Sequence, residues 1–293
     1  MTAITAAMVK DLRERTGAGM MECKNALVEA QGNMEAAEDI IAKSGHRKAA
    51  KSAGRIAAQG RICVASSPKA AACLEINCET DFVARDESFI QFCDQVSQLA
   101  LKSEITDVDK LLETSLDGSQ TVEQSRQALI ARIGENIQIR RIGAMKAGAN
   151  ERIGSYIHHA RIGVLILLEG GNDDMAKEMS MHTAAMRPQF INPSEVPKPV
   201  VEKEKEIFME RAKESGKPAE VLEKIVNGQL QKYLNEICLE GQPFFKDPDQ
   251  SVGTVLKTGN AKVKQMIRFE VGEGIEVIKK SFEDEVKAVR GGN

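Results

Sequence analysis

Twice in this sequence a run suited to a β-strand is followed, across a polar break, by a run suited to an amphipathic helix. Ala70–Cys78 alternates so that Leu74, Ile76 and Cys78 share one face. Downstream, Phe89, Phe92, Cys93, Val96, Leu99 and Ala100 recur at helical spacing. Ser88 followed by Gln91 reads as a capping box opening that helix. The order returns with an apolar strand at 161–168, a Gly170-Gly171 turn and a helix at 173–186. Strand, turn and helix in the same order twice point to an α+β core of two related half-domains.

The flanks read differently. Residues 1 to about 45 form three short helices. Thr5 caps the first, where Met8, Val9 and Leu12 share a face. Thr16-Gly17-Ala18-Gly19 is a break, and the second helix places Met20, Cys23 and Leu27 on one side. Asn33 caps a third helix that runs through Ile41. Helices this short are marginal alone, so they are expected to pack as a small bundle. Residues 43–61 carry six Lys or Arg and no acid, and read as a basic linker ending in a strand near 60–65. Proline clusters at 193–199. Beyond it, 200–214 alternates Glu and Lys, 215–218 turns, and 219–237 is helical with Leu222, Val226, Leu230, Tyr233 and Ile237 as its seam. This is a charged antiparallel helical hairpin that interrupts the core. A short helix near 252–257, a strand near 263–271 and a last helix at 275–289 complete the chain.

With 293 residues the chain holds two or three compact units. Lys and Arg total 40 against 43 Asp and Glu, a net charge of -3, which argues against a surface devoted to nucleic acid or an anionic membrane. Cysteines stand at 23, 63, 73, 78, 93 and 238, with no C-x-x-C pair. They read as reduced, buried thiols. Lys10, Asp11 and Arg13 interrupt any apolar leader, and no stretch is long enough to span a bilayer, so the expected location is the cytoplasm.

Phosphate-loop, dinucleotide, nucleophile-elbow and zinc-helix motifs are all absent from the sequence. His158 and His159 adjoin in a strand-like stretch and are expected on opposite faces, poor geometry for a shared metal. Cys23 beside Lys24 is either a thiol of lowered pKa or a core residue at helical spacing. An enzyme built on Cys23 or His158 names no substrate. Arg-Ile-Gly occurs at 132, 141, 152 and 161. It reads either as a basic box for RNA or as a meander with turns at regular spacing. Ile137, Ile139, Ile142 and the run 164–167 favour the meander, and Tyr156 is the sole aromatic between Phe92 and Phe190 to stack a base.

The remaining constellation is Glu75-Ile-Asn-Cys-Glu-Thr-Asp-Phe-Val-Ala-Arg85. Phe82 keeps the parity of Leu74, Ile76 and Cys78, which makes it a core plug. Thr80 and Asp81 equally suit a turn that ends the strand, which would present Phe82 to a partner. The pattern leaves both open.

Two long segments carry a family resemblance. Leu12-Arg-Glu-Arg-Thr-Gly-Ala-Gly-Met-Met-Glu-Cys-Lys-Asn-Ala-Leu27 and the segment Glu75 to Arg85 are similar to the two signatures of the elongation factor Ts family, exchange factors for elongation factor Tu. Ser155 to Leu165 and Arg268 to Ile275 also resemble that family, in order along the whole chain. The resemblance implies an N-terminal three-helix, ubiquitin-associated-like domain at 1–54 and a core N-subdomain at 55–150. It implies a core C-subdomain at 151–196 and 238–271, a coiled-coil dimerisation hairpin at 197–237, and a C-terminal module at 272–293. It further implies no covalent chemistry, no cofactor and no resident metal. Thr80, Asp81, Phe82 and Val83 would bind the partner and dislodge its Mg2+, with Lys24 and His158 as secondary contacts. A homodimer through the hairpin is implied, and neither membrane nor direct nucleic-acid binding. One departure is His159, where many relatives carry a small residue, often Gly.

Overall fold

A computed structural model describes residues 3–213 and 218–276. Three helices come first: α1 (Ala6–Thr16), α2 (Met20–Glu29) and α3 (Met34–Ser52). Thr5 and Asn33 cap α1 and α3 through their side chains, and Gly17 ends α1 at φ 66°. Val9, Leu12, Cys23, Ala26, Leu27, Ala37 and Ile41 make their common core. Met20, expected on that face, is instead 55% exposed, because it is the first residue of α2 and lies at the rim.

The basic linker does not exist as such. Helix α3 continues eleven residues past Ile41, to Ser52, and only 53–58 is free of regular structure. The continuation buries Gly45, Ala49 and Ser52 at helical spacing and leaves Lys43, Arg47, Lys48 and Lys51 outside. A Cβ on Gly45 would meet Ala131 Cβ at 3.5 Å and the Gln127 carbonyl at 3.6 Å. This stripe is made of small residues, so a search for large apolar side chains misses it.

Strands β1 (Gln59–Ser66) and β2 (Ala70–Cys78) form a hairpin, followed by α4 (Glu87–Ser103), α5 (Val108–Glu113), α6 (Val122–Ile133) and β3 (Gln138–Lys146). The sheet order is β1-β2-β3, antiparallel throughout. Central β2 is buried on both faces, and its sequence is apolar except for Glu75 and Asn77, which are buried with it. Helix α4 is capped by Asp86, whose carboxylate accepts from the Ser88 and Phe89 N–H groups. The Ser88–Gln91 capping box is therefore not formed; the true box is Thr121 with Gln124 at the start of α6. Phe89, Phe92, Cys93 and Val96 of α4 pack on Leu74, Ile76 and Cys78, with Leu129 and Ile130 of α6 in the same core.

The second sheet contains β4 (Glu151–His158) and β5 (Ile162–Gly170), and α7 (Asp173–Met186) follows it. Helices α8 (Lys198–Lys213) and α9 (Ala219–Ile237) then lie against each other. A two-stranded ribbon of β6 (Pro243–Phe244) and β7 (Asp247–Ser251), helix α10 (Val252–Thr258) and β8 (Ala261–Glu270) close the described chain. Strand β8 joins the other edge of β5, giving the order β4-β5-β8. The helix expected at 275–289 lies outside the described residues from 277 onward, as does the turn expected at 215–218 except for Pro218.

The inner faces of the two three-stranded sheets share a core of Ile62, Cys73, Met145, Leu165 and Leu167. Two glycines let them approach. A Cβ on Gly163 would fall 2.3 Å from Ile62 Cγ2, and one on Gly143 2.8 Å from Ile267 Cδ1. One charged group sits at this junction. Glu75, fully buried, accepts from Arg140 (3.0 Å) and Arg141 (2.6 Å), and from the Gly272 N–H (2.8 Å). The β2–β3 register slips between Glu75 and Ile76, so both adjacent arginines reach the same carboxylate. Burying a carboxylate is tolerable only with such pairing.

Candidate functional site

Strand β2 ends at Cys78, and the chain turns at once. Glu79 and Thr80 are half-buried, Asp81 and Phe82 are exposed, and Val83 and Ala84 are buried again. Residues Val83–Arg85 form one 3-10 turn before α4. Phe82 stands at its head with 82% of its surface exposed. The core-plug reading is thereby overturned. The alternation stops at Cys78, and the helical backbone of Phe82 (φ -63°, ψ -48°) turns its side chain to solvent.

Polar contacts pin the turn from below. The Glu79 and Thr80 N–H groups donate to Glu135 Oε2 at 3.1 and 3.0 Å, and the Thr80 hydroxyl donates to Glu135 Oε1 at 2.6 Å. The same hydroxyl accepts from the Val83 N–H at 3.3 Å, so Thr80 caps the little turn it precedes. In return, the Asn136 N–H donates to Glu79 Oε1 at 2.5 Å. Asp81 pairs with Arg85 at 3.1 Å, an exposed i,i+4 contact that holds little energy. Burial, with Glu135 as the next cause, pushes the Cys78 thiol beneath the turn up to about 12. That thiol stays neutral and is no nucleophile at physiological pH.

The other expected contacts lie elsewhere. Lys24 is exposed on α2, between the exposed Met20, Met21 and Val28. His158 ends β4, and its Nδ1 lies 3.1 Å from the Tyr156 hydroxyl. The expectation that His158 and His159 face opposite ways fails. His159 and Ala160 are the two central residues of the β4–β5 turn, at φ 49° and 56°, and the Arg161 N–H returns to the His158 carbonyl. Both positive φ values mark a type I′ turn, which brings the two imidazoles within 4.3 Å, edge to face. A position at φ 49° also explains why glycine suits residue 159.

The Arg-Ile-Gly repeats do not make one meander. The first ends α6, with Gly134 at φ 88°, and β3 and β4 belong to different sheets. Their arginines are largely engaged within the protein: Arg141 with Glu75, Arg152 with Asp173, Arg161 with Gln59 Oε1. Among the described residues, no group of three or more His, Cys, Asp or Glu side chains is placed to hold a metal ion. No helix among them is long and apolar enough to cross a membrane.

A protein-family model described as Elongation factor TS matches residues 79–273, from the pinned turn to the end of the second sheet. The chain belongs to the elongation factor Ts family. A protein named Elongation factor Ts from Thioalkalivibrio sulfidiphilus is 53% identical over 287 residues, covering 97% of this chain and 98% of its own. One of the same name from Idiomarina loihiensis is 52% identical over 286 residues, covering 98% and 97%. Another, from Coxiella burnetii, is 49% identical over 297 residues and covers both chains completely. Membership makes this an elongation factor of protein biosynthesis, with nucleotide exchange rather than covalent chemistry as its family activity.

The sequence marks a turn at Thr80 and Asp81 but gives no sign of Glu135, which anchors it. Glu135 lies 55 residues from Thr80, directly after the glycine cap of α6. An acid in that position carries no local pattern that would have marked it.

Proposed function

We propose that this chain binds elongation factor Tu in its GDP-bound state and promotes release of GDP and exchange for GTP. The observation that carries the reading is Phe82: a large aromatic, 82% exposed, on a turn fixed from beneath. An exposed aromatic costs solubility unless a partner covers it, and rigid aromatic anchors are what such partners take up. Phe82 acts as a wedge in the partner's nucleotide domain. Asp81 gives up its weak pair with Arg85 and supplies polar contacts near the Mg2+ and phosphate site. Thr80 and Val83 hold the turn. Nucleotide and factor then weaken each other's binding equally, so that either nucleotide can expel the factor. Lys24 and His158 make secondary contacts.

Fluorescent-GDP release from elongation factor Tu, catalysed by wild type and by Phe82→Ala, tests this. The variant is expected to lose at least about tenfold in the maximal release rate, in the range of interface hot spots. Equal rates would remove the wedge.

The same reading divides the chain into a ubiquitin-associated-like unit at 1–54, core subdomains at 55–150 and at 151–196 with 238–271, and a C-terminal module at 272–293. It places the protein's work in the cytoplasm. The hairpin at 197–237 serves self-association. Its base is fixed to the core through Val196, Ile237 and Cys238, whereas between those points only Ala212 and Val226 are buried among the described residues. Deletion of 200–236 is expected to lower the sedimentation coefficient at micromolar concentration and to leave catalysed GDP release within about twofold. An unchanged association state would remove the dimer role.

A further inference from the structure

Three segments far apart in sequence meet in one polar knot under the exposed turn. They are the chain leaving α3 (residues 53–55), the end of β2 (79–80) and the loop after α6 (134–136). Glu135 receives three hydrogen bonds, all from residues 79 and 80. Glu79 in turn receives the Asn136 N–H and pairs with Arg55 Nε at 3.2 Å. The Asn136 amide donates to the Arg55 carbonyl at 2.8 Å, and Arg55 Nη2 donates to the Gly134 carbonyl at 2.7 Å. Each loop therefore supplies a carboxylate to the other's backbone.

We infer that Glu135 is a positioning residue for nucleotide exchange, holding the Thr80–Val83 turn in the one arrangement that presents Phe82 outward. The inference rests on the proposed role of Phe82. Its physical basis is asymmetric satisfaction. Without the Glu135 carboxylate, the Glu79 and Thr80 N–H groups and the Thr80 hydroxyl have no other acceptor among the described residues in this arrangement. They find one only by turning toward water. Asp81–Arg85 is too exposed to hold the turn in their place. Phe82, 82% exposed, has little packing to pull it back. The turn then samples several arrangements, of which a fraction is competent.

That mechanism has a kinetic signature distinct from loss of the wedge. A partner that binds only the competent arrangement sees its apparent affinity reduced by the competent fraction, while the saturated complex is unchanged. Glu135→Ala is therefore expected to raise the half-saturating concentration of factor in GDP release by about fivefold or more, with the plateau rate unaltered. Phe82→Ala lowers the plateau instead. Glu135→Gln keeps the shape and one acceptor oxygen, and is expected to fall between Glu135→Ala and wild type. Full-length proteins are compared well below their melting temperatures. Amide hydrogen exchange of the free proteins is followed by mass spectrometry, and Glu135→Ala is expected to accelerate it at 79–83 while β2 stays protected.

An unchanged half-saturation, a lowered plateau or unchanged protection at 79–83 in Glu135→Ala would each overturn the positioning role. Should Glu135→Ala fail to fold, Glu135→Gln decides by the same criteria. Wild-type kinetics in Phe82→Ala would instead remove the wedge role of Phe82 on which the inference rests, and the amide-exchange result would still report whether Glu135 holds the turn.

Discussion

Phe82 and Val83 are neighbours in opposite surroundings: 82% of one is exposed and 9% of the other. Val83 belongs to the core with Phe89, Phe92 and Cys78. Its truncation to Ala removes about 2 kcal/mol of folding stability, two buried carbons' worth with some allowance for the cavity. Phe82→Ala leaves stability within about 0.5 kcal/mol, as for surface substitutions that break no special feature. Urea unfolding of the two variants measures both, and a destabilised Phe82→Ala would mean that the ring packs on the free protein. The sequence could not separate these fates. Parity carried from Leu74 through Phe82 and the turn chemistry of Thr80 and Asp81 gave opposite answers. What decides between them is the acceptor for the Thr80 N–H, a residue from another loop.

At the scale of elements, the large apolar periodicities were legible and the small-residue contacts were not. The spacing of Phe89 to Ala100 announces α4, and the Leu222-to-Ile237 seam announces α9. The second half of α3 escaped because Gly45, Ala49 and Ser52 are too small to register as an apolar face. Helix α6 escaped for a related reason, since its exposed turns dilute a stripe of Val122, Leu129 and Ile130. The β4–β5 turn shows how backbone conformation hides as well. His159-Ala160 is not a recognised I′ pair, yet both residues adopt positive φ. The Ala160 carbonyl accepts the Ile62 N–H at 2.8 Å, which fixes the turn beside β1. An alanine at φ 56° has no side chain to bond its own backbone and bears a steric cost of about 1 kcal/mol. Ala160→Gly relieves it, less the added freedom of the unfolded chain, and is expected to stabilise by roughly 0.5 kcal/mol. A lowered urea midpoint would show that the methyl group packs better than the backbone suffers.

For the whole molecule, titratable groups in its cores make stability depend on pH from both sides. Burial raises the thiols of Cys73 and Cys93 far above their ordinary value, and burial with Glu135 raises Cys78 to about 12. A folded-state pKa above the unfolded value means that the unfolded chain loses its proton first. The stabilisation is complete below the unfolded thiol value of about 8.5 and is lost as pH rises beyond it. Each such thiol contributes up to about 1.4 kcal/mol per pH unit. On the acid side stands His182, fully buried between α7 and the β6–β7 ribbon. Its Nδ1 accepts the Phe245 N–H at 3.3 Å, which leaves Nε2 to donate to Gln242 Oε1 at 3.0 Å. Both nitrogens are satisfied only in the neutral ring. Burial lowers its pKa, and the bond to Gln242 opposes that in part. Here the folded value lies below the unfolded one, so stability is complete above about pH 6.5 and falls as pH drops beneath it. Unfolding free energies measured in urea under reducing conditions are expected to be highest near pH 7 to 8 and to decline on either side. Cys73→Ala and Cys93→Ala should each flatten the alkaline limb, because removing the thiol removes its term while a small apolar side chain keeps most of the packing. A slope between pH 9 and 10 that neither substitution changes would mean that the alkaline loss comes from other groups.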